Sequence, residues 1–197
     1  MASLPKPLLT VEEYIALERR LDVKYEYFRG EMFAMSGASP AHVFIHSNLL
    51  RHLGNRLEGT PCRALGSDLR VHIQASGLYT YPDVSIFCGG LALDKHQAAT
   101  SPKVILEILS PSTRRYDISG KFEHYRQIAS LEEYVLVEQD SYSINRYRRQ
   151  PDGDWALTRF QGEDAILALA SVNLTVPLRE IYSDVPFDLA ERDPEQP

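Results

Sequence analysis

The chain has 197 residues, enough for one domain with its own core, and its 44% hydrophobic and 24% charged content is that of an ordinary globular protein. A formal net charge of −6 excludes a surface that coats nucleic acid everywhere, although a small basic groove stays compatible with it. Two cysteines, Cys62 and Cys88, stand in no metal-ligand spacing, which excludes a disulfide framework and points to a reduced, cytoplasmic setting. Thr10 followed by Glu13 is a capping box and starts a short helix over VEEYIALERR. KYEYF and EMFAMS, joined through Arg29-Gly30, read as a β-hairpin. Apolar residues at 45, 49, 50, 53 and 57 predict an amphipathic helix that Gly59 and Pro61 end.

CRALGSDLRVHI and YPDVSIF read as strands with a Ser-Gly turn between them, and Gly89 to Pro102 as a loop with room for one helical turn. KVILEIL is an apolar strand, SPSTRRYD a connection, ISGKFEHYRQIA a helix, and EEYVLVE a second buried strand. SYSINRYRR, DWALTRF and AILALAS read as edge strands set off by PDGD and QGED turns, and PLREIYSDV as a final helix. One domain is expected over 8–189, with a polar, disordered tail over 190–197. The opening MASLPKPLLT lacks the basic and apolar regions of a signal peptide, and no apolar run approaches the roughly 18 residues of a membrane span. A soluble intracellular protein is the expectation.

Glu107 interrupts the apolar strand VILEIL, where a lone carboxylate is expensive to desolvate and needs a metal ion or a cationic partner. Strand alternation puts Ile105, Glu107 and Leu109 on one face. Asp83 follows Pro82, which lacks an N–H and belongs at a strand entrance. If the two strands pair antiparallel, the entrance of one lies beside the exit of the other and both carboxylates converge on one rim. Two carboxylates suit Mg²⁺, which keeps several waters for a phosphate to displace. Lys121 begins the helix that follows, within reach of the same rim, where an ammonium would orient water and offset transition-state charge.

PDVSIF, VILEILSPSTRRYD, GKFEHYRQI and EEYVLVE resemble the "putative restriction endonuclease" family common in bacterial genomes, a branch of the PD-(D/E)XK nuclease superfamily. YEYFRGEMFAMSGASPAHVFIHSNLLRHL is similar to that family's opening segment, so the resemblance spans about residues 8 to 185. It implies a restriction-endonuclease-like α/β (α+β) fold: a mixed central sheet flanked by helices, with an N-terminal helix and hairpin. It further implies Mg²⁺- or Mn²⁺-dependent hydrolysis of DNA, with Asp83 and Glu107 as metal ligands. Leu109 stands where the superfamily carries lysine, and the resemblance gives that role to Lys121. Glu31 and His42 also match the opening segment, as an auxiliary metal contact and a phosphate contact. Double-strand cutting most simply uses two copies, so a homodimer is expected.

Plainer readings exist for each residue. Glu107 also suits a buried ion pair, Asp83 a strand-start carboxylate, and Lys121, Glu31 and His42 solvated or helix-start positions. His42 and His46 are four apart, but HVFIH lacks the glutamate of a zinc-protease motif. Arg146, Arg148 and Arg149, among Tyr142 and Tyr147, suit either phosphate contacts or a charged edge strand. A nuclease-like module that binds nucleic acid or a protein without cutting, and a hydrolase for another phosphodiester, are the alternative functions.

Overall fold

The computed structural model of the chain describes residues 8–35 and 37–190. Helix α1 is Val11–Glu18, and its capping box is formed as its sequence predicts: Glu13 N donates to Thr10 Oγ1 at 3.2 Å and Thr10 N to Glu13 Oε2 at 2.7 Å. Strands β1 (Tyr25–Phe28) and β2 (Glu31–Ala34) make the hairpin. Its two turn residues, Arg29 (φ 50°) and Gly30 (φ 89°), are both left-handed, the geometry that matches strand twist in a two-residue loop. Helix α2 is Pro40–Leu57, capped by the Ser39 side chain, and buries Ile45, Leu49, Leu53 and Leu57.

Next come β3 (Cys62–Gly66), β4 (Val71–Ile73), β5 (Leu78–Thr80), β6 (Val84–Cys88) and β7 (Val104–Leu109). A helical path over 114–125 leads to β8 (Glu133–Glu138), followed by β9 (Ser143–Arg149) and β10 (Trp155–Gln161). Six strands form a mixed sheet in the order β10-β9-β8-β7-β6-β3, in which only β7 and β8 run parallel. The helical crossover between parallel strands and the antiparallel pairing of β6 with β7 are both as expected. Val104, Leu106 and Ile108 of β7 face α2, whereas Ile105 and Leu109 pack with Tyr125, Ile128 and Tyr134 on the other side. Glu107 therefore projects to that second side.

Several elements depart from expectation. The stretch read as CRALGSDLRVHI splits: β4 leaves the main sheet and pairs with β5, in a four-stranded antiparallel sheet of order β2-β1-β5-β4. The loop after β6 holds no helical turn; Ala99 bridges to Val71 and Leu93 instead. SYSINRYRR is not an edge, because β9 is paired on both sides and β10 is the edge. AILALAS contributes β11 (Ile166–Leu169), which pairs with β12 (Leu174–Pro177) in a separate ribbon ahead of the one-turn helix α4 (Leu178–Ile181). The tail lies outside the described residues, except that Ala190 is buried.

Two corrections bear on chemistry. SPSTRRYD is not a plain connection: helical backbone begins at 114, runs as a π-helix over Tyr116–Lys121, and continues as α3 (Phe122–Tyr125). Ser110 Oγ accepts from Thr113 N at 3.3 Å and Asp117 N bonds Thr113 O at 2.9 Å, so the hydroxyl residues start the helix. Lys121 thus sits at the end of a π-turn, not in a first turn. The cysteines are not free thiols. Antiparallel register sets Cys62 directly opposite Cys88, Cα atoms 4.0 Å apart, and they are disulfide-bonded across β3 and β6. Cysteine count therefore gives no argument for a reducing compartment. No helix among the described residues is long and apolar enough to cross a membrane.

Candidate active site

Val84 pairs with Leu106, and extending that antiparallel register by one residue sets Asp83 opposite Glu107. Pro82 and Asp83 precede β6, so β7 runs past its neighbour and Ile108 N–H has no strand partner there. Asp83 supplies one: Ile108 N donates to Asp83 Oδ2 at 2.7 Å, and Asp83 N approaches Glu107 Oε2 at 3.4 Å. Both carboxylates line one cleft of about 410 Å³. Its walls come from the β1–β2 hairpin, the start of α2, the exit of β7 and the π-turn.

Lys121, buried on the π-turn, points into a ring of acceptors. Its Nζ lies 3.2 Å from Glu107 Oε1, 3.3 Å from Glu26 Oε1 and 3.2 Å from Asp117 Oδ1. Tyr125 donates to Glu107 Oε1 at 2.7 Å, Thr80 to Glu26 Oε1 at 2.5 Å and Thr113 to Asp117 Oδ2 at 2.6 Å. Asp117 Oδ1 accepts no hydrogen bond and meets Lys121 only as an ion pair. Asp117 and Lys121 stand four apart on the π-turn, in contact and both buried.

Charge is uneven in this group. Burial works to raise the Asp83 carboxyl, but the His42 hydrogen bond and charge, Ile108 N–H and Lys121 outweigh it, and Asp83 lies below the usual carboxylate range. Burial pushes Glu107 up to about 8; Lys121 opposes the shift, and Asp83 and Asp117 reinforce it. Burial works to lower Lys121, yet Glu107, Tyr125, Glu26 and Asp117 together hold it well above the usual lysine value. Two neighbouring carboxyls so differ in proton affinity, with a lysine locked in its charged form beside them.

Sequence reasoning brings together Asp83, Glu107 and Lys121, and the fold does the same. The buried ion pair considered for Glu107 is also present. His42 reaches the cleft as well, with Nε2 3.2 Å from Asp83 Oδ1, while His46 Nε2 meets the Asp83 carbonyl at 2.9 Å. The pair that suggested zinc therefore grips Asp83 by side chain and backbone. Glu31 is exposed at the start of β2 and does not line the cleft. Glu26, unnoticed in KYEYF, takes the hairpin's place there; its alternation with Tyr25 and Tyr27 was the available signal. Arg146 and Arg149 serve the fold, Arg146 by pairing with Glu133 and Arg149 by donating to the carbonyls of Leu131 and Ile128.

Among the described residues no three His, Cys, Asp or Glu side chains converge as a closed metal cage. The donors present are two adjacent carboxylates in an open cleft, which fits Mg²⁺ or Mn²⁺ and does not fit structural zinc. The family model for Uma2, described as "Putative restriction endonuclease", matches residues 11–179. "Uncharacterized protein slr1290" of Synechocystis sp. is 38% identical over 94% of this chain and 97% of its own length. "Uncharacterized protein sll1609" of the same organism is 34% identical over 80% of this chain and 90% of its own. A crystal structure titled as a putative nuclease belonging to DUF820, from Anabaena variabilis, superposes with a TM-score of 0.69 at 19% identity, covering 89% of this chain and 98% of that one. That likeness concerns the fold.

Proposed function

We propose, for a chain that belongs to the Uma2 family, that this cleft is the active site of a metal-dependent endonuclease hydrolysing DNA phosphodiester bonds. The observation that carries the reading is the in-register placement of Asp83 opposite Glu107 with the Lys121 ammonium 3.2 Å from Glu107. Asp83 and Glu107 would hold Mg²⁺ or Mn²⁺. Ile108 would add its carbonyl, which in strand geometry lies on the same edge as the N–H that Asp83 caps. When bound, the ion polarises the phosphate and lowers the pKa of its water. Lys121 keeps its proton, orients the attacking water and offsets charge on the phosphoryl oxygens. Glu26 and Asp117 hold Lys121 in place from two other elements. His42 holds Asp83 ionised.

Supercoiled plasmid, whose torsional strain opens unpaired stretches, should be nicked with Mg²⁺ or Mn²⁺, single-stranded DNA should be cut, and EDTA should stop both. Plasmid and single-stranded DNA both left intact under every metal would end this reading. A second reading, a nuclease-like module that binds without cutting, draws on Leu109: it is buried against Tyr125 and offers no cation at the superfamily's lysine position.

The Glu107 carboxyl gives a pH signature. Burial raises it to about 8 against the pull of Lys121, so a proton competes with a cation for it near neutrality, and only the carboxylate binds the cation. Mn²⁺ affinity should therefore rise with pH up to about 8, and binding near neutrality should release a proton. Calorimetric titration in buffers of different ionisation enthalpy reads that proton directly. A pH-independent affinity would remove Glu107 from the ligand set.

A further inference from the structure

Resting on the nuclease reading, we infer that the cleft takes unpaired DNA, one nucleotide at a time, and not an intact duplex. Its volume, about 410 Å³, is that of a pocket for a single small molecule. A duplex offers its phosphates on a convex surface, whereas here the carboxylates lie at the bottom of a cleft between the hairpin, the β7 exit and the π-turn.

Charge argues the same way. Four carboxylates, Glu26, Asp83, Glu107 and Asp117, line the cleft against two lysines, Lys24 and Lys121. Lys121 is shared with Glu107, Glu26 and Asp117 and can serve the reacting phosphate alone, and Lys24 pairs with Asp68 at 2.5 Å. Duplex binders neutralise many phosphates; this cleft can neutralise few.

Two aromatic rings supply the alternative source of affinity. Phe33, on β2, lines the cleft and is 48% exposed; Tyr116, on the π-turn, lines it and is 38% exposed. Register pairs Phe33 with Glu26, so both side chains leave the hairpin on the cleft face. The Tyr116 ring lies over Gly120, where an added Cβ would come within 2.5 Å of it. A side chain at position 120 would therefore displace the ring. Exposed rings beside a phosphate-cutting centre are stacking platforms for unpaired bases, and stacking needs no base pairing or sequence. A single-strand cut needs one active site, so the pairing of two copies expected from double-strand cutting is not required.

The test is fluorescence anisotropy of a labelled deoxyoligonucleotide, its duplex and the ribo-oligonucleotide of the same sequence, with the full chain in Ca²⁺. Cleavage of the same three in Mn²⁺ is followed in parallel. Single-stranded DNA should bind about tenfold or more tightly than the duplex, and at least as tightly as the ribo-oligonucleotide. Phe33→Ala and Tyr116→Ala should each weaken it about tenfold with unchanged melting temperature, and Phe33→Trp should restore it. The log-log salt slope should be shallow, about −1, for one or two phosphate contacts. Equal or tighter binding of the duplex, preference for RNA, or indifference to both aromatic substitutions overturns the inference. The expected anisotropy pattern with no cleavage keeps it and removes the nuclease reading; duplex cleavage indifferent to Phe33 and Tyr116 does the reverse.

Discussion

Asp83→Asn should abolish Mn²⁺ binding and DNA cleavage together while leaving the protein folded. The aspartate has two separable jobs. One oxygen accepts the Ile108 N–H at 2.7 Å, closing the edge of β7 that β6 does not cover; the other faces His42 at 3.2 Å. Asparagine keeps a carbonyl for Ile108, so the strand edge stays satisfied, but it carries no charge for a cation. Asp83→Ala loses both. It leaves a buried N–H unpaired, which costs about 1–3 kcal/mol, so its loss of activity would be accompanied by a lower melting temperature. Calorimetric Mn²⁺ titration, plasmid nicking and thermal melts on both variants separate the two jobs. Metal binding retained by Asp83→Asn would exclude Asp83 as a ligand.

Lys121→Ala should slow cleavage by about 10²–10³, the usual effect of removing one electrostatic donor, and should retain or tighten metal affinity. Its ammonium carries no ligand oxygen and competes with a cation for Glu107, from which it stands 3.2 Å away. Lys121→Arg should rescue little, because a planar fork cannot meet Glu107, Glu26 and Asp117 as a compact ammonium does. The variant should also be less stable, since removing one partner of a buried pair costs about 3–5 kcal/mol when the other stays charged. The pH dependence has a definite sign. The Glu107 carboxyl is raised on folding, so its contribution to stability is complete below its unfolded value of 4.5 and is lost as pH rises through about 8. Lys121 is what opposes that loss. Urea melts of Lys121→Ala should therefore lie closest to wild type in mild acid and fall furthest below it above pH 8. Normal nicking by Lys121→Ala would leave Lys121 a structural ion-pair partner only.

Much of the fold is legible because it is written in local periods. The Thr10–Glu13 box, the Arg29-Gly30 turn and the 45-49-53-57 stripe of α2 each depend on residues within a few positions of one another. Glu107 is legible as a site residue for an energetic reason: a carboxylate inside an apolar strand must find a partner wherever the strand lies. The three-residue strands β4 and β5 are too short to carry a period, and only packing against β1 decides that they form a second sheet. The hydroxyl-rich start of the 114–125 helix is read as loop, because serine and threonine serve loops and helix caps alike. The cysteine bond depends on the register of two strands whose cysteines stand 26 residues apart, and no spacing along the chain encodes that. The same holds at the centre of the cleft. Glu26, Glu107 and Asp117 arrive at Lys121 from β1, β7 and the π-turn, so composition supplies the charges, but only tertiary structure decides which of them share one cation.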